Sequence, residues 1–239
     1  MDWPIKSSFD ETLSQLVLMR PFPQKVLFWG DGVGGISSYV AGWMAGQGMD
    51  IILLDGANRF DPYMVSFFAR TISVSPETLL KKIRIARAFT SYQMAALMGE
   101  KLSSLLKKEK AISARLRTWV ILLGPITTFL DEDVPEKEVR PLFERALKKV
   151  EGMAADGVPF LIFQPPINSH SKRSYLMRRL FKFPDRVWKI EIDDQGPKMI
   201  LEKEPVQNIS ENCKLQNENC KVVSLSQAES AGPPFSVNR

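Results

Sequence analysis

KVLFWGDGVGGISSYVAGWMAG, residues 25–46, is the stretch that decides the fold. Val26, Leu27, Phe28 and Trp29 form a continuous apolar run with no polar alternation, which predicts a strand buried on both faces of a parallel sheet. Glycines then crowd into GDGVGG (30–35), and the residues that follow predict a helix over 34–47. Strand, glycine turn and helix in that order open an α/β unit. The spacing is also that of a phosphate-binding loop, in which backbone N–H groups wrap the phosphates, a lysine neutralises the outer ones and a hydroxyl holds magnesium. Gly30 and Gly35 fall at the two glycine positions and Ser37 at the hydroxyl position, but Ile36 stands where the lysine belongs. Asp31, inside the loop, would oppose a bound triphosphate at close range, or cap the helix behind it.

Working outward, IILLD (51–55), WVILL (119–123) and VPFLIF (158–163) repeat the short apolar run, each bounded by Gly, Pro or Asp. Between them, residues 76–109 hold a candidate strand, IRIARAF, and a long helix, YQMAALMGEKLSSLLKKEK. Residues 136–155 place Val139, Leu142, Phe143, Ala146, Leu147 and Val150 at helical spacing, with Asp156-Gly157 as a stop. Strand and helix in alternation predict a three-layer α/β domain with a mostly parallel central sheet. VWKIEI (187–192), a DDQGP turn and KMILE (198–202) predict an antiparallel hairpin on the sheet edge. The expected organisation is an N-terminal helical extension over 1–24, a core over 25–204, and a polar tail over 205–239 without apolar periodicity.

Composition narrows the classes of function. The chain has 239 residues, 44% hydrophobic and 25% charged, the proportions of an ordinary globular protein. No apolar run approaches the roughly 20 residues that span a bilayer. MDWPIKSSFDETLSQL carries acids and no unbroken apolar stretch, which reads against a secretory signal and makes the cytoplasm the expected location. Two cysteines, Cys213 and Cys220, and a single histidine, His170, supply neither a disulfide framework nor a Cys/His zinc site. The net charge is +5, and its clustering matters more than its size.

Four further segments, together with the glycine loop, resemble the RecA/RadA recombinase ATPase core, most of all its archaeal and eukaryotic branch. LLDGANRFDP (53–62) resembles the family's second strand and its sequel, and PETLLKKIRIARAFTSYQ (76–93) its third strand with the ARAF motif. VILLGPITTFL (120–130) and DGVPFLIFQ (156–164) resemble the two strands that follow. The likeness runs from about Lys25 to Leu201 in family order and implies a RecA-like, P-loop NTPase-type fold. It also implies that the catalytic parts are missing: Ile36 stands for the lysine, Ala57 for the glutamate that activates water, and Gly124 for the magnesium-side aspartate. Ser37, Asp55 and Gln164 do match the pattern, so Gly30, Gly35, Ser37 and Gln164 are the remains of a nucleotide site. Phosphoryl transfer is nearly all positioning and charge stabilisation, which leaves little here to catalyse with. No cofactor is expected, with ATP binding the one alternative left open.

After Gln164 comes PPINSHSKRSYLMRRLFKFPDRVWK, with Lys172, Arg173, Arg178, Arg179, Lys182 and Arg186 against Asp185 alone, and Tyr175, Phe181 and Phe183 interleaved. Cations beside rings suit single-stranded nucleic acid, and in the resembled family the loop after the matching glutamine meets DNA. Lys172, Arg173, Tyr175, Arg178, Arg179 and Lys182 are the candidate DNA-binding residues. The bland alternative is an amphipathic helix, with Leu176/Leu180 and Met177/Phe181 as inward pairs and arginines facing water. The acids of DEDVPEKE (131–138) suit a solvated loop and helix start. The expectation is a non-catalytic RecA-like protein that assists recombination or repair by binding single-stranded DNA, a recombinase, or both. Its rivals are a protein-binding regulatory subunit of the same fold, of the division-inhibitor type, and a weak nucleotide-binding ATPase. No membrane partner is expected.

Overall fold

In the computed structural model the described residues are Ser14 and 24–204, less 113–117, 131–133, 168–170 and 194–195. The chain divides into two units, 1–205 and 206–239, and all described residues lie in the first. The expected N-terminal extension (Ser14, which is helical, excepted), the tail, His170 and both cysteines lie outside them.

Seven strands form one sheet: β1 (Lys25–Gly30), β2 (Asp50–Asp55), β3 (Ile83–Arg87), β4 (Thr118–Leu123), β5 (Phe160–Gln164), β6 (Arg186–Asp193) and β7 (Gly196–Lys203). The order across the sheet is β3-β2-β4-β5-β1-β6-β7, with every pairing parallel except β6–β7. The apolar runs become strands because each has to feed two cores. Alternate residues of one strand point to opposite faces, so Val26 and Phe28 enter one core and Leu27 the other. Ile51 and Leu53 divide in the same way from Ile52 and Leu54, and Leu161 and Phe163 from Phe160 and Ile162. Phe28 and Phe163, in register on neighbouring strands, stack with centroids 4.9 Å apart.

Helices α1 (Val33–Gly46), α2 (Pro62–Thr71) and α3 (Pro76–Leu80) cover the first face. The second is covered by α4 (Ser91–Ala96), a π-helical turn (Leu97–Lys101), α5 (Leu102–Ile112), α6 (Glu136–Ala155) and α7 (Ser174–Lys182). The described residues therefore form a three-layer α/β domain, an arrangement compatible with a RecA-like one, with an antiparallel hairpin at one edge. That hairpin is tied down where β6 begins: Lys25 N donates to Asp185 Oδ2 at 2.9 Å, its ammonium lies 3.2 Å from Oδ1, and Asp185 N donates back to Lys25 O.

Candidate functional site

The parallel strands all end at one edge of the sheet, and the glycine loop sits there between β5 and β6. It is shorter than a phosphate wrap of that glycine spacing needs. Only Asp31 and Gly32 separate β1 from α1, and Ile36 N already donates to Gly32 O at 3.1 Å. Residues 33–36, which would have to wrap phosphates, are instead the first turn of the helix. Packing accounts for two of the glycines. A Cβ on Gly30 would meet Ile190 O of the neighbouring strand at 2.1 Å. Gly32 is the N-cap of α1 with φ 67°, a left-handed conformation that glycine adopts without strain.

The side chains that remain of the pattern are engaged within the fold. Ile36 is fully buried in the first core, so the lysine position points into hydrocarbon. Ser37 Oγ is buried and donates to Gly34 O at 2.8 Å. Gln164 accepts from Ile126 N through Oε1 and donates to Pro165 O through Nε2. Asp55, fully buried, accepts from Arg59 N and Phe60 N, with the Arg87 Nε 3.7 Å from its Oδ2. Gly35 is half-buried in the helix turn. Where the resembled family carries its carboxylates, main chain closes on main chain. Gly56 N and Ala57 N donate to Leu123 O, and Gly124 N to Phe163 O. A Cβ on Gly124, which has φ 61°, would meet the Ala57 Cβ at 2.5 Å and Thr127 Oγ1 at 2.6 Å. Among the described residues no group of three or more His, Cys, Asp and Glu comes together that could hold a metal.

The basic segment divides in two. Arg173 is 6% exposed and acts as a clamp, with Nη1 donating to Phe129 O at 2.9 Å, Nη2 to Val134 O and Nε to Glu136 Oε2 at 2.9 Å. It ties the start of α7 to the chain that leads into α6. Tyr175 is half-buried beside the same carboxylate. Burial first and Glu136 second push its pKa from the ordinary 10.0 up to about 12. Glu136 in turn is held below its ordinary value by the Tyr175 hydroxyl and by Arg173. Arg179 Nε donates to both oxygens of Glu144 on α6, at 2.9 and 3.0 Å. Phe181 meets Trp29 edge-on at 5.2 Å and Phe183 is buried, so both rings belong to the packing. Leu176, Met177 and Leu180 form the buried stripe of α7. Lys172, Arg178 and Lys182 are exposed, and none of them has an ion-pair partner among the described residues.

Of the six candidate DNA-binding residues, three thus face solvent as cations and three are partly or wholly engaged. The fold adds one that the linear sequence does not reveal. Arg140 of α6 is exposed and lines a cleft together with Tyr175, Arg178 and Lys182 of α7. In the sequence it reads as one more solvated helix position, because only tertiary packing sets α6 beside α7. The positive charge gathers in this layer. Lys137, Arg140, Arg145, Lys148 and Lys149 of α6 are exposed beside the acids Glu136, Glu138 and Glu151, whereas α2 and α3 carry only Arg70 as a cation and Glu77 as an acid.

No protein-family model matches the chain, and no curated protein matches it. Among the described residues, no helix is long and apolar enough to cross a membrane.

Proposed function

We propose that this protein is a non-catalytic RecA-like protein that assists DNA recombination or repair by binding single-stranded DNA on the outer face of its α6–α7 layer. The observation that carries the reading is the set Arg140, Lys172, Arg178 and Lys182, exposed on one layer and without ion-pair partners among the described residues. Cations gathered on one face are the electrostatic footprint of a nucleic-acid binder. The loop supports the non-catalytic half: a helix turn replaces the phosphate wrap, and the lysine position lies in the core. Binding of a fluorescently labelled oligonucleotide, followed by anisotropy, tests the first half. Release of phosphate from ATP with magnesium tests the second. Salt-sensitive binding without turnover is the expected pair of results; magnesium-dependent turnover would contradict the reading.

A recombinase partner is favoured by a separate observation. β3 bonds only to β2, so among the described strands its outer edge is unpaired. Beside it a mostly apolar cavity of about 190 Å³ is lined by Ile52, Leu54, Ala86, Leu97, Leu102 and Leu105, with Arg84 and Lys101 also in its wall. An open edge next to an apolar hole suits an extended peptide that adds as a strand and buries one side chain. Ile85→Glu places a charge at that edge and is expected to abolish capture of a recombinase while leaving oligonucleotide binding intact. Capture unaffected by the change would remove this edge from the account.

A further inference from the structure

We infer that the cleft between α6 and α7 is a phosphate seat, with Arg140 and Arg178 as its ligands and Glu144 as the residue that restrains Arg179. The inference rests on the single-strand reading above and names the atoms that would meet its backbone. The cleft has a volume of about 280 Å³. Its α6 wall is Arg140, Phe143 and Glu144, and Tyr175, Arg178, Arg179 and Lys182 of α7 stand opposite. Those four lie at helical spacings of three, four and seven, so they share one stripe of the helix.

Charge makes the cleft a receptor rather than a gap. Four cations line it against one carboxylate, Glu144, whose two oxygens are both taken by Arg179 Nε. Arg140, Arg178 and Lys182 have no ion-pair partner among the described residues, and like charges around one concavity repel until an anion enters. Arg140 and Tyr175 both line the cleft, and Tyr175 is set beside Glu136 and Arg173. Those last two engage each other at 2.9 Å. Phe143 and Leu176 are buried in the cleft's floor, and an apolar floor strengthens the field above it. Guanidinium groups from two helices suit the tetrahedral oxygens of phosphate, which accept paired N–H donors. Arg179 cannot give its Nε while Glu144 holds it, so Glu144 sets how strongly the seat binds.

The test compares the unmodified chain with Arg140→Ala and Glu144→Gln, each first shown to melt as the unmodified chain does. A labelled single-stranded oligonucleotide is titrated across a salt series. Arg140→Ala is expected to weaken binding and flatten the slope of log affinity against log salt by about 0.7, the contribution of one phosphate contact on a single strand. Glu144→Gln is expected to tighten binding, because it removes the cleft's carboxylate and releases Arg179. If the unmodified chain binds and Arg140→Ala leaves the slope unchanged, the seat is overturned while the single-strand reading stands. If the unmodified chain binds no oligonucleotide, that reading falls, and inorganic tripolyphosphate, followed by calorimetry, decides the seat. Heat that disappears in Arg140→Ala upholds it, and no heat overturns it.

Discussion

Ile36 and Arg173 illustrate how much of a residue's meaning depends on what surrounds it. At 36 the side chain is fully enclosed among Val33, Val40 and the sheet residues of the first core. Ile36→Lys restores the letter of a phosphate-binding loop and buries a charge without a partner. It is expected to destabilise the fold by about 3–5 kcal/mol, as an uncompensated buried charge does, measured by denaturant unfolding. A variant as stable as the unmodified chain would show that position 36 has an outlet to solvent. Arg173 belongs by composition with the cations of the basic segment, yet its guanidinium satisfies two carbonyls and a carboxylate. Arg173→Ala is expected to cost about 1–3 kcal/mol for each buried acceptor left unpaired. Unchanged stability would contradict the clamp.

Among the elements, α6 and α7 carry the argument because they meet at Glu136, Arg173 and Tyr175. The Tyr175 phenol has its pKa raised to about 12 in the folded protein, against an ordinary 10.0. A raised value means that the folded state holds the proton more tightly than the unfolded chain. The corresponding stability is present below pH 10 and is lost as pH rises through about 12. Spectrophotometric titration should therefore find a tyrosinate forming near the upper value, absent in Tyr175→Phe, whose stability should fall less over the same range. A tyrosine at 175 that ionises at its ordinary value would contradict the enclosure.

The elements also show what could be read beforehand. The apolar runs at 25–29, 51–55 and 119–123 became β1, β2 and β4, since a strand buried on both faces needs no periodicity to announce it. IRIARAF gave β3, and the edge hairpin appeared as β6 and β7. Less legible was α2, whose nearly three turns open on Pro62 behind Asp61 as N-cap, at the end of a stretch read mainly for its family likeness. The π-helical turn at Leu97–Lys101 was hidden because its residues continue an ordinary helical pattern. The glycine loop misleads in an instructive way. The pattern over 34–47 placed α1 within one residue of its observed span, Val33–Gly46; the glycine spacing concealed that so early a start leaves no span for a phosphate wrap. For the basic segment, composition located the cations but not their bonds: Arg173 and Arg179 find acids on α6, more than thirty residues back in the chain.

At the scale of the molecule, the sheet separates two layers of different character. The α1–α3 side packs against the strands with few charges, and the α4–α7 side carries most of the exposed lysines and arginines among the described residues. A protein that met single-stranded DNA with this second layer would gain affinity mainly from release of counterions, so affinity would fall steeply with salt. The measurement that bears most directly on the account is the salt dependence of oligonucleotide affinity for the unmodified chain and for Lys172→Ala/Arg178→Ala/Lys182→Ala combined. These side chains are exposed, so the variant should fold as the unmodified chain does. The account predicts salt-sensitive binding by the unmodified chain and a slope flattened by about 0.7 for each of the three cations that touches phosphate. No salt-sensitive binding near physiological salt, or an identical slope for the folded triple variant, would contradict it.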